Sequence, residues 1–334
     1  MLKMERAGAS LELNRIPEEL ETLPETLKRG GYATFGIADN PNVGVELGFA
    51  QGFDELKTYA RYRSAEGVND QLARWQTRLA DARRYFLYLH YFDPHAPYQP
   101  RAPWFEEPDD PQERDRAAYD SEIRYTDAQL EQAFARHGWA HNALVVVTAD
   151  HGEEFGDHGS VGHGRTLFTE SIRVPLLMRF PDGRYAGRRV REAVSHLDLL
   201  PTLRELTGIQ ADPRNEGRSL LALLGGRRAG WEQRVLFGHL SRRDHRLQRV
   251  TRTAMQGAWK YVVVDPPGER MLFNLDEDPR EQHNRIEQAP EIARSLEQGL
   301  LHFEQHSRKY AGGTAQVPLD EQAQENLRAL GYVQ

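Results

Sequence analysis

The pattern of apolar and polar positions predicts alternating strands and helices along the first two thirds of the chain. Short apolar runs typical of buried strands occur at residues 32–38, 85–91, 143–149 and 174–180, and a further strand is predicted at 189–194. A short helix is predicted to begin after Thr22, which would cap it. Further helices are predicted at about 68–84, 114–137 and 197–206. This order of elements favours an α/β fold, a mainly parallel sheet with helices on both faces.

After residue 225 the pattern changes to closely spaced strands. The candidates lie at residues 235–239, 249–255, 259–264 and 271–274. Their connections are too short for helical crossovers, which predicts an antiparallel meander. A last helix is predicted at 290–306. We therefore expect an α/β domain over residues 1–225 and a smaller α+β subdomain over residues 226–334.

Composition narrows the class of protein. The 334 residues include 39% hydrophobic and 28% charged residues, which is typical of a globular domain. The formal net charge of −7 argues against a nucleic-acid partner. The absence of cysteine excludes disulfides, thiolate metal sites and cysteine nucleophiles. No apolar run reaches the ~18 residues of a membrane span, and no signal peptide is evident. The sequence leaves localisation and oligomeric state open.

Candidate chemistry is concentrated in residues 143–165, ALVVVTADHGEEFGDHGSVGHGR. A predicted strand ends there at Asp150 and His151, and Gly152 lets the chain turn so that both side chains can reach one divalent cation. Mixed oxygen and nitrogen ligands suit Mn²⁺ or Zn²⁺, while an all-oxygen set suits Ca²⁺ or Mg²⁺. By itself the pair fits a cap or a salt bridge at the start of a loop equally well.

Two further histidines are candidates for contact with an anion. His95 follows another predicted strand in Asp-Pro-His-Ala-Pro, and His163 lies in Gly-His-Gly. A single loop histidine is more often an ordinary surface residue, and in this arginine-rich chain the same applies to Arg101 and Arg165. Together with the Asp-His pair, however, the histidines would form a cation-containing cleft for a tetrahedral sulfate or phosphate group.

Five segments, in this order, resemble the sulfatase family of the alkaline-phosphatase superfamily. They are FLYLHYFDPHAPY (86–98), VVVTADHGEEFGDHGSVGHG (145–164), IRVPLLMRFP (172–181), HLDLLPTLRELTG (196–208) and, more weakly, LFNLDEDPREQHN (272–284). The resemblance implies an alkaline-phosphatase-like fold and metal-dependent cleavage of sulfuric esters, with a small-molecule or glycan sulfate ester, or a phosphate ester, as substrate. Family members are often exported.

The resemblance also implies roles for the candidate residues. Asp150 and His151 would bind one divalent cation, for which Ca²⁺ is typical of the family and Mn²⁺, Mg²⁺ or Zn²⁺ fits His151. His95 would hydrogen-bond the ester or the bound anion. His163 falls close to a family lysine that binds the sulfate group, so that both histidines would be catalytic and substrate-binding residues.

Two family features are missing from the sequence. The first strand of the family ends in an Asp-Asp pair that completes the metal site, and Cys/Ser-x-Pro-x-Arg follows, whose first residue becomes the formylglycine nucleophile. The chain contains neither. Since the residues from Thr22 resemble the family region downstream of the nucleophile, we expect an incomplete or truncated enzyme whose missing strand and nucleophile precede Met1.

We expect such a chain to be marginally stable and inactive by itself, because a sheet without a central strand exposes two strand edges. Two alternatives stay open. One is a phosphate mono- or diester hydrolase of the same superfamily, which the Asp-His pair in place of Asp-Asn slightly favours. The other is a catalytically inactive sulfatase-like binding protein.

Overall fold

The computed structural model describes residues 5–7, 10–59, 62–210, 212–244, 247–307 and 316–318; residues 319–334 of the predicted second domain lie outside them. The helices are α1 (Leu23–Arg29), α2 (Ser64–Arg74), α3 (Gln76–Asp81), α4 (Arg114–His137), α5 (Trp139–Asn142), α6 (Thr169–Ile172), α7 (Leu199–Thr207), α8 (Leu221–Leu224) and α9 (Pro290–His306). None of the helices in these ranges is long and apolar enough to cross a membrane.

Two short 3-10 helices lie at Pro111–Glu113 and His196–Asp198, and the remaining secondary structure of the described residues consists of strands. They are β1 (Glu5–Ala7), β2 (Ser10–Asn14), β3 (Ala33–Ala38), β4 (Glu55–Thr58), β5 (Tyr85–His90), β6 (Val145–Thr148), β7 (Glu154–Phe155), β8 (Val161–Gly162), β9 (Leu176–Arg179), β10 (Val235–Asp244), β11 (Leu247–Gln256), β12 (Trp259–Asp265), β13 (Glu269–Asn274) and β14 (Gln316–Pro318).

The chain forms two compact units. Unit 1 contains the described residues up to Asn142, residues 204–210 and β14, and unit 2 contains Ala143–Leu203 and the described residues from 212 to 307. The domain boundary predicted at residue 225 stays a prediction, because compactness alone does not define where a folding domain ends.

Unit 1 contains a parallel sheet with the strand order β4–β3–β5, which confirms the predicted parallel arrangement. Strand β3 is its buried centre, with Ile37 and Ala38 fully buried. Strand β5 is the last strand of this sheet, and its sequence YFLYLH is only half-buried although almost every residue is apolar. An apolar strand at a sheet edge is normally covered by another element.

The helices of unit 1 follow the predicted positions with two differences. Helix α1 begins at the predicted cap, where the Thr22 hydroxyl and the Glu25 carboxylate form a capping box. The single helix predicted at 68–84 is instead two helices, α2 and α3, which meet at Trp75. Helix α4 has the predicted bounds, but Ile123 of its predicted apolar face is 44% exposed, and α4 buries the small residues Ala118 and Ala133 instead.

Unit 2 combines an antiparallel pair, β6 and β9, with the four-stranded antiparallel meander β10–β11–β12–β13. Helix α9 packs on the meander through Leu296 and Leu300, which contact the cluster around Tyr261 and Leu272. The predicted antiparallel C-terminal lobe is thereby confirmed. The strand predicted at 189–194 is wrong: these residues form no strand, and Arg189 and Arg191 are exposed.

Candidate active site

Asp150 and His151 lie directly beyond the end of β6 and are accessible, with side chains 67% and 39% exposed. His151 Nδ1 lies 2.8 Å from the carbonyl oxygen of Gly152. Because a carbonyl oxygen only accepts hydrogen bonds, this contact favours a proton on Nδ1, and in the neutral ring of that tautomer Nε2 carries the lone pair that could bind a metal. His151 Nε2 is 3.7 Å from Asp150 Oδ2, and two ligands each about 2.1 Å from one cation stand roughly 3–4 Å apart. The pair therefore fits a divalent cation.

The turn after His151 rests on helix α6. The Gly152 amide donates to the carbonyl oxygen of Ser171 at 2.8 Å. A Cβ atom at position 152 would lie 1.9 Å from the Glu170 carbonyl oxygen, so only glycine fits there. The buried Glu154 carboxylate accepts from the Ser171 hydroxyl at 2.5 Å and from the Thr166 hydroxyl at 3.0 Å. Helix α6 thus fixes the loop at two nearby points.

A short hairpin returns His163 to His151. Strands β7 and β8 pair antiparallel, and three glycines with positive φ allow the reversals, namely Gly156, Gly159 and Gly162. The rings of His151 and His163 stack with their centroids 4.2 Å apart. His163 Nδ1 lies 3.2 Å from Glu153 Oε1, and the Glu153 side chain is 5% exposed. The structure thus brings three of the four predicted site residues together.

Glu153 is a member of this cluster to which the sequence assigned no role. It stands among several acidic residues in the loop, and only the hairpin register selects it as the partner of His163. Among the described residues, no group of three or more histidine and acidic side chains could hold a metal ion. The Asp150–His151 pair would by itself supply only two ligands of a cation.

His95 belongs to unit 1, in the loop that follows β5. Its ring stacks on Phe92 with a centroid distance of 4.2 Å, and its Nδ1 lies 2.6 Å from the Ala96 carbonyl oxygen. The loop is anchored by the fully buried Asp93 side chain, which accepts from the Ala65 amide at 2.7 Å and from Arg101 at 2.6 Å. A role of His95 in one site with Asp150 stays a prediction.

Asp39 and Asp93 follow neighbouring strands of unit 1, and Glu122 of α4 shares Arg101 with Asp93. Arg101 is an ion-pair partner of Asp93 and also of Glu122, at 3.4 Å. Burial, with the nearby Asp93, raises the pKa of Glu122 to about 7. Burial likewise raises the pKa of Asp39, the residue after β3, to about 6. These acids exchange protons close to neutral pH.

A cleft of about 1740 Å³ in unit 2 includes Asp150 and His151 in its wall. Its wall combines apolar residues of β9 and α8 with several arginines, and Leu177 and Leu197 are 61% and 58% exposed. Pockets for small ligands usually measure about 300–1,000 Å³. The cleft is therefore larger than an ordinary small-ligand pocket.

Comparison with protein families identifies the class of this chain. A family model described as Sulfatase matches residues 2–209, and one described as N-sulphoglucosamine sulphohydrolase, C-terminal, matches residues 156–306. Since the first match covers more than half of the chain, the chain belongs to the sulfatase family. This confirms the resemblance of the five sequence segments.

Particular relatives match only in part. Arylsulfatase K of Mus musculus is 33% identical over 195 residues, which cover 55% of this chain and 35% of the mouse protein. The chain thus spans about a third of the length of the arylsulfatases it matches.

Solved structures are similar over a larger share of the chain. One, solved in complex with its substrate D-glucosamine-2-N,6-O-disulfate, has a TM-score of 0.70 and 16% identity over 87% of this chain and 83% of that chain. Phosphonate monoester hydrolase of Agrobacterium radiobacter has a TM-score of 0.69 and 18% identity over 92% of this chain and 85% of that chain. At such identities the likeness shows the fold, and the predicted alkaline-phosphatase-like α/β architecture is confirmed.

Proposed function

We propose that this chain carries one side of the active site of a sulfuric ester hydrolase. Asp150 and His151 bind a divalent cation, and His163 contacts the sulfate group of the substrate. His95 hydrogen-bonds the ester or the bound anion. The observation that carries the proposal is the meeting of Asp150, His151 and His163 beyond β6, with the His151 Nε2 lone pair available, in a chain of the sulfatase family.

The residues divide the chemistry between them. A cation held by Asp150 and His151 would supply positive charge against the charge that develops on the transferred group. The mixed oxygen and nitrogen pair suits Mn²⁺ or Zn²⁺, although Ca²⁺ is typical of the family. Glu153 orients the His163 ring through Nδ1.

We propose further that the nucleophile and the remaining acidic ligands come from residues that this sequence does not contain. The sulfatase family generally uses a formylglycine nucleophile, and the chain has no cysteine and no Ser-x-Pro-x-Arg from which to form one. The apolar edge strand β5 is a surface that an additional strand could cover.

Metal titration tests the proposed ligands directly. Calorimetric titration of Mn²⁺, Zn²⁺ and Ca²⁺ into the chain should show binding that Asp150→Asn and His151→Gln each weaken by roughly tenfold or more, the effect of removing one charged or lone-pair ligand. Asp182→Asn, which changes an exposed acidic residue paired with Arg184, is the matched control. Binding that neither ligand substitution weakens would contradict the assignment.

Turnover separates the candidate functions. If the DNA upstream of Met1 encodes an in-frame Asp-Asp strand and Cys/Ser-x-Pro-x-Arg, the extended protein should hydrolyse an aryl sulfate faster than an aryl phosphate or phosphonate. The reverse preference would support a phosphoester or phosphonate hydrolase, which the likeness to phosphonate monoester hydrolases favours. Absence of both turnover and metal binding would support the binding protein. Robust hydrolysis by the chain alone would contradict the proposal that the nucleophile and the remaining acidic ligands come from residues that this sequence does not contain.

A further inference from the structure

Lys260 of β12 is a buried cation with no place in the proposed chemistry. Its Nζ lies 2.7 Å from Glu281 Oε1, and both side chains are 0% exposed. The other carboxylate oxygen of Glu281 accepts from the amide of Thr169 at 2.6 Å. Thr169 is the first residue of α6, and the residue before it provides no side-chain cap. A carboxylate of the C-terminal lobe therefore caps the helix on which the Gly152 turn rests.

Glu281 contacts the same region through its backbone. It has φ +54°, a left-handed conformation that is unfavourable for a residue other than glycine. Its carbonyl oxygen lies 3.3 Å from His158 Nε2, and His158 Nδ1 lies 2.5 Å from Glu170 Oε1 on α6. The His158 ring stacks on Phe168 with a centroid distance of 3.7 Å. Glu281 thus contacts residues 158–170 through both its carboxylate and its carbonyl oxygen.

We propose that Lys260, Glu281 and His158 form a latch that holds α6 and, through α6, keeps the Asp150–His151 turn in its observed conformation. The three residues are positioning residues and contact no substrate. Helix α6 transmits their effect because Gly152 and Glu154 bond to Ser171, two residues after the capped Thr169. The inference rests on the proposed function only in treating this turn as part of a site.

A paired substitution isolates the latch. Lys260→Met with Glu281→Met replaces both charges by apolar side chains of similar length, so no unpaired charge stays buried and the lobe should fold. The Thr169 amide nevertheless loses its acceptor. The control is Arg252→Met with Glu304→Met in the same lobe, which removes the 3.2 Å pair between β11 and α9 together with the pair between Arg252 and the partly exposed Asp265 of β12.

Hydrogen exchange followed by mass spectrometry measures the result in the intact chain. In the latch variant, exchange of residues 150–171 should rise by roughly tenfold or more, the factor expected for the loss of a hydrogen bond to a charged group. Exchange in the meander should stay as in the original protein. In the control variant, residues 150–171 should be unchanged. Unchanged exchange in the latch variant, or an equal rise in the control, would overturn the proposal.

Titration with Mn²⁺ separates this proposal from the proposed function. If the original chain binds Mn²⁺, the latch variant should bind it about tenfold more weakly, because the ligand pair is less well held, and the control variant should bind it as before. Unchanged affinity in the latch variant would overturn the positioning role. If the original chain binds no metal, the proposed cation site fails, and the exchange measurement still decides whether the latch exists.

Discussion

Substitution of Arg234 tests the buried ion pair that supports the start of α7. The Asp198 carboxylate is 0% exposed and receives both Arg234 Nη atoms at 2.7 Å. It also accepts the amides of Ser195 and Arg218, each at 2.8 Å. Arg234→Met removes the guanidinium and leaves a buried carboxylate held by two backbone amides.

The expected loss of stability follows from this geometry. Removing one partner of a buried pair costs about 3–5 kcal/mol, because the other charge stays buried without compensation. Because two backbone amides still bond the carboxylate, we expect the free energy of unfolding to fall by about 3 kcal/mol. This is a large share of the roughly 5–15 kcal/mol that stabilises a domain. With a urea dependence of about 2 kcal/mol per molar, the midpoint of unfolding should fall by roughly 1.5 M.

Urea unfolding followed by circular dichroism measures this shift. Arg228→Met is the control, because the Arg228 side chain is 59% exposed in its 2.9 Å pair with Glu192, whose side chain is 12% exposed. Loss of this solvent-screened arginine should cost about 1 kcal/mol, less than the loss of the buried Arg234. Arg234→Met combined with Asp198→Asn should be more stable than Arg234→Met alone, since the uncompensated charge is then removed. Equal midpoints for the Arg234 and Arg228 variants, or a double variant no more stable than the single one, would refute the reasoning.

Three further predictions concern local features. Thr22→Ala should destabilise unit 1 by about 1 kcal/mol through loss of the helix cap, measured by urea unfolding, whereas Thr22→Ser should not. Burial lowers the pKa of His158, but Glu170 and the Glu281 carbonyl outweigh it and raise this pKa above its usual value near 6.5. The stabilisation by His158 should therefore be complete below pH 6.5 and disappear as pH rises through the folded-state pKa, and His158→Gln should abolish this dependence of the urea midpoint on pH. Because the pKa of Glu122 is raised from 4.5 to about 7, stability should fall as pH rises between these values, and Glu122→Gln should remove that fall; an unchanged pH profile would contradict either assignment.

The long, periodic helices were the most predictable elements. Helices α4 and α9 have the predicted bounds, because length and repeated apolar spacing leave few alternatives. The face of α4 was less predictable, since it is buried through alanines while Ile123 stays exposed. Strand β4, with sequence ELKT, was missed because its polar residues resemble a loop until a neighbouring strand pairs with it.

The candidate site was predictable where it depends on chain order and unpredictable where it depends on register. Asp150 and His151 follow β6 directly, so their position is set by the strand. The pairing of Glu153 with His163 requires the β7–β8 hairpin, and the pairing of Lys260 with Glu281 requires two connections of the C-terminal lobe. A lysine in a strand usually faces solvent, and nothing local to Lys260 indicates that it is buried.

The edge position of β5 has a consequence for handling the protein. Among the described residues β5 pairs only with β3, and an apolar edge strand of this kind can pair with the same strand of a second molecule. Self-association of this chain should therefore increase more steeply than linearly with concentration. Lysine, the residue that often protects exposed edges, does not occur in YFLYLH. Light scattering on dilution series would show the effect, and a short peptide able to pair with β5 should suppress it.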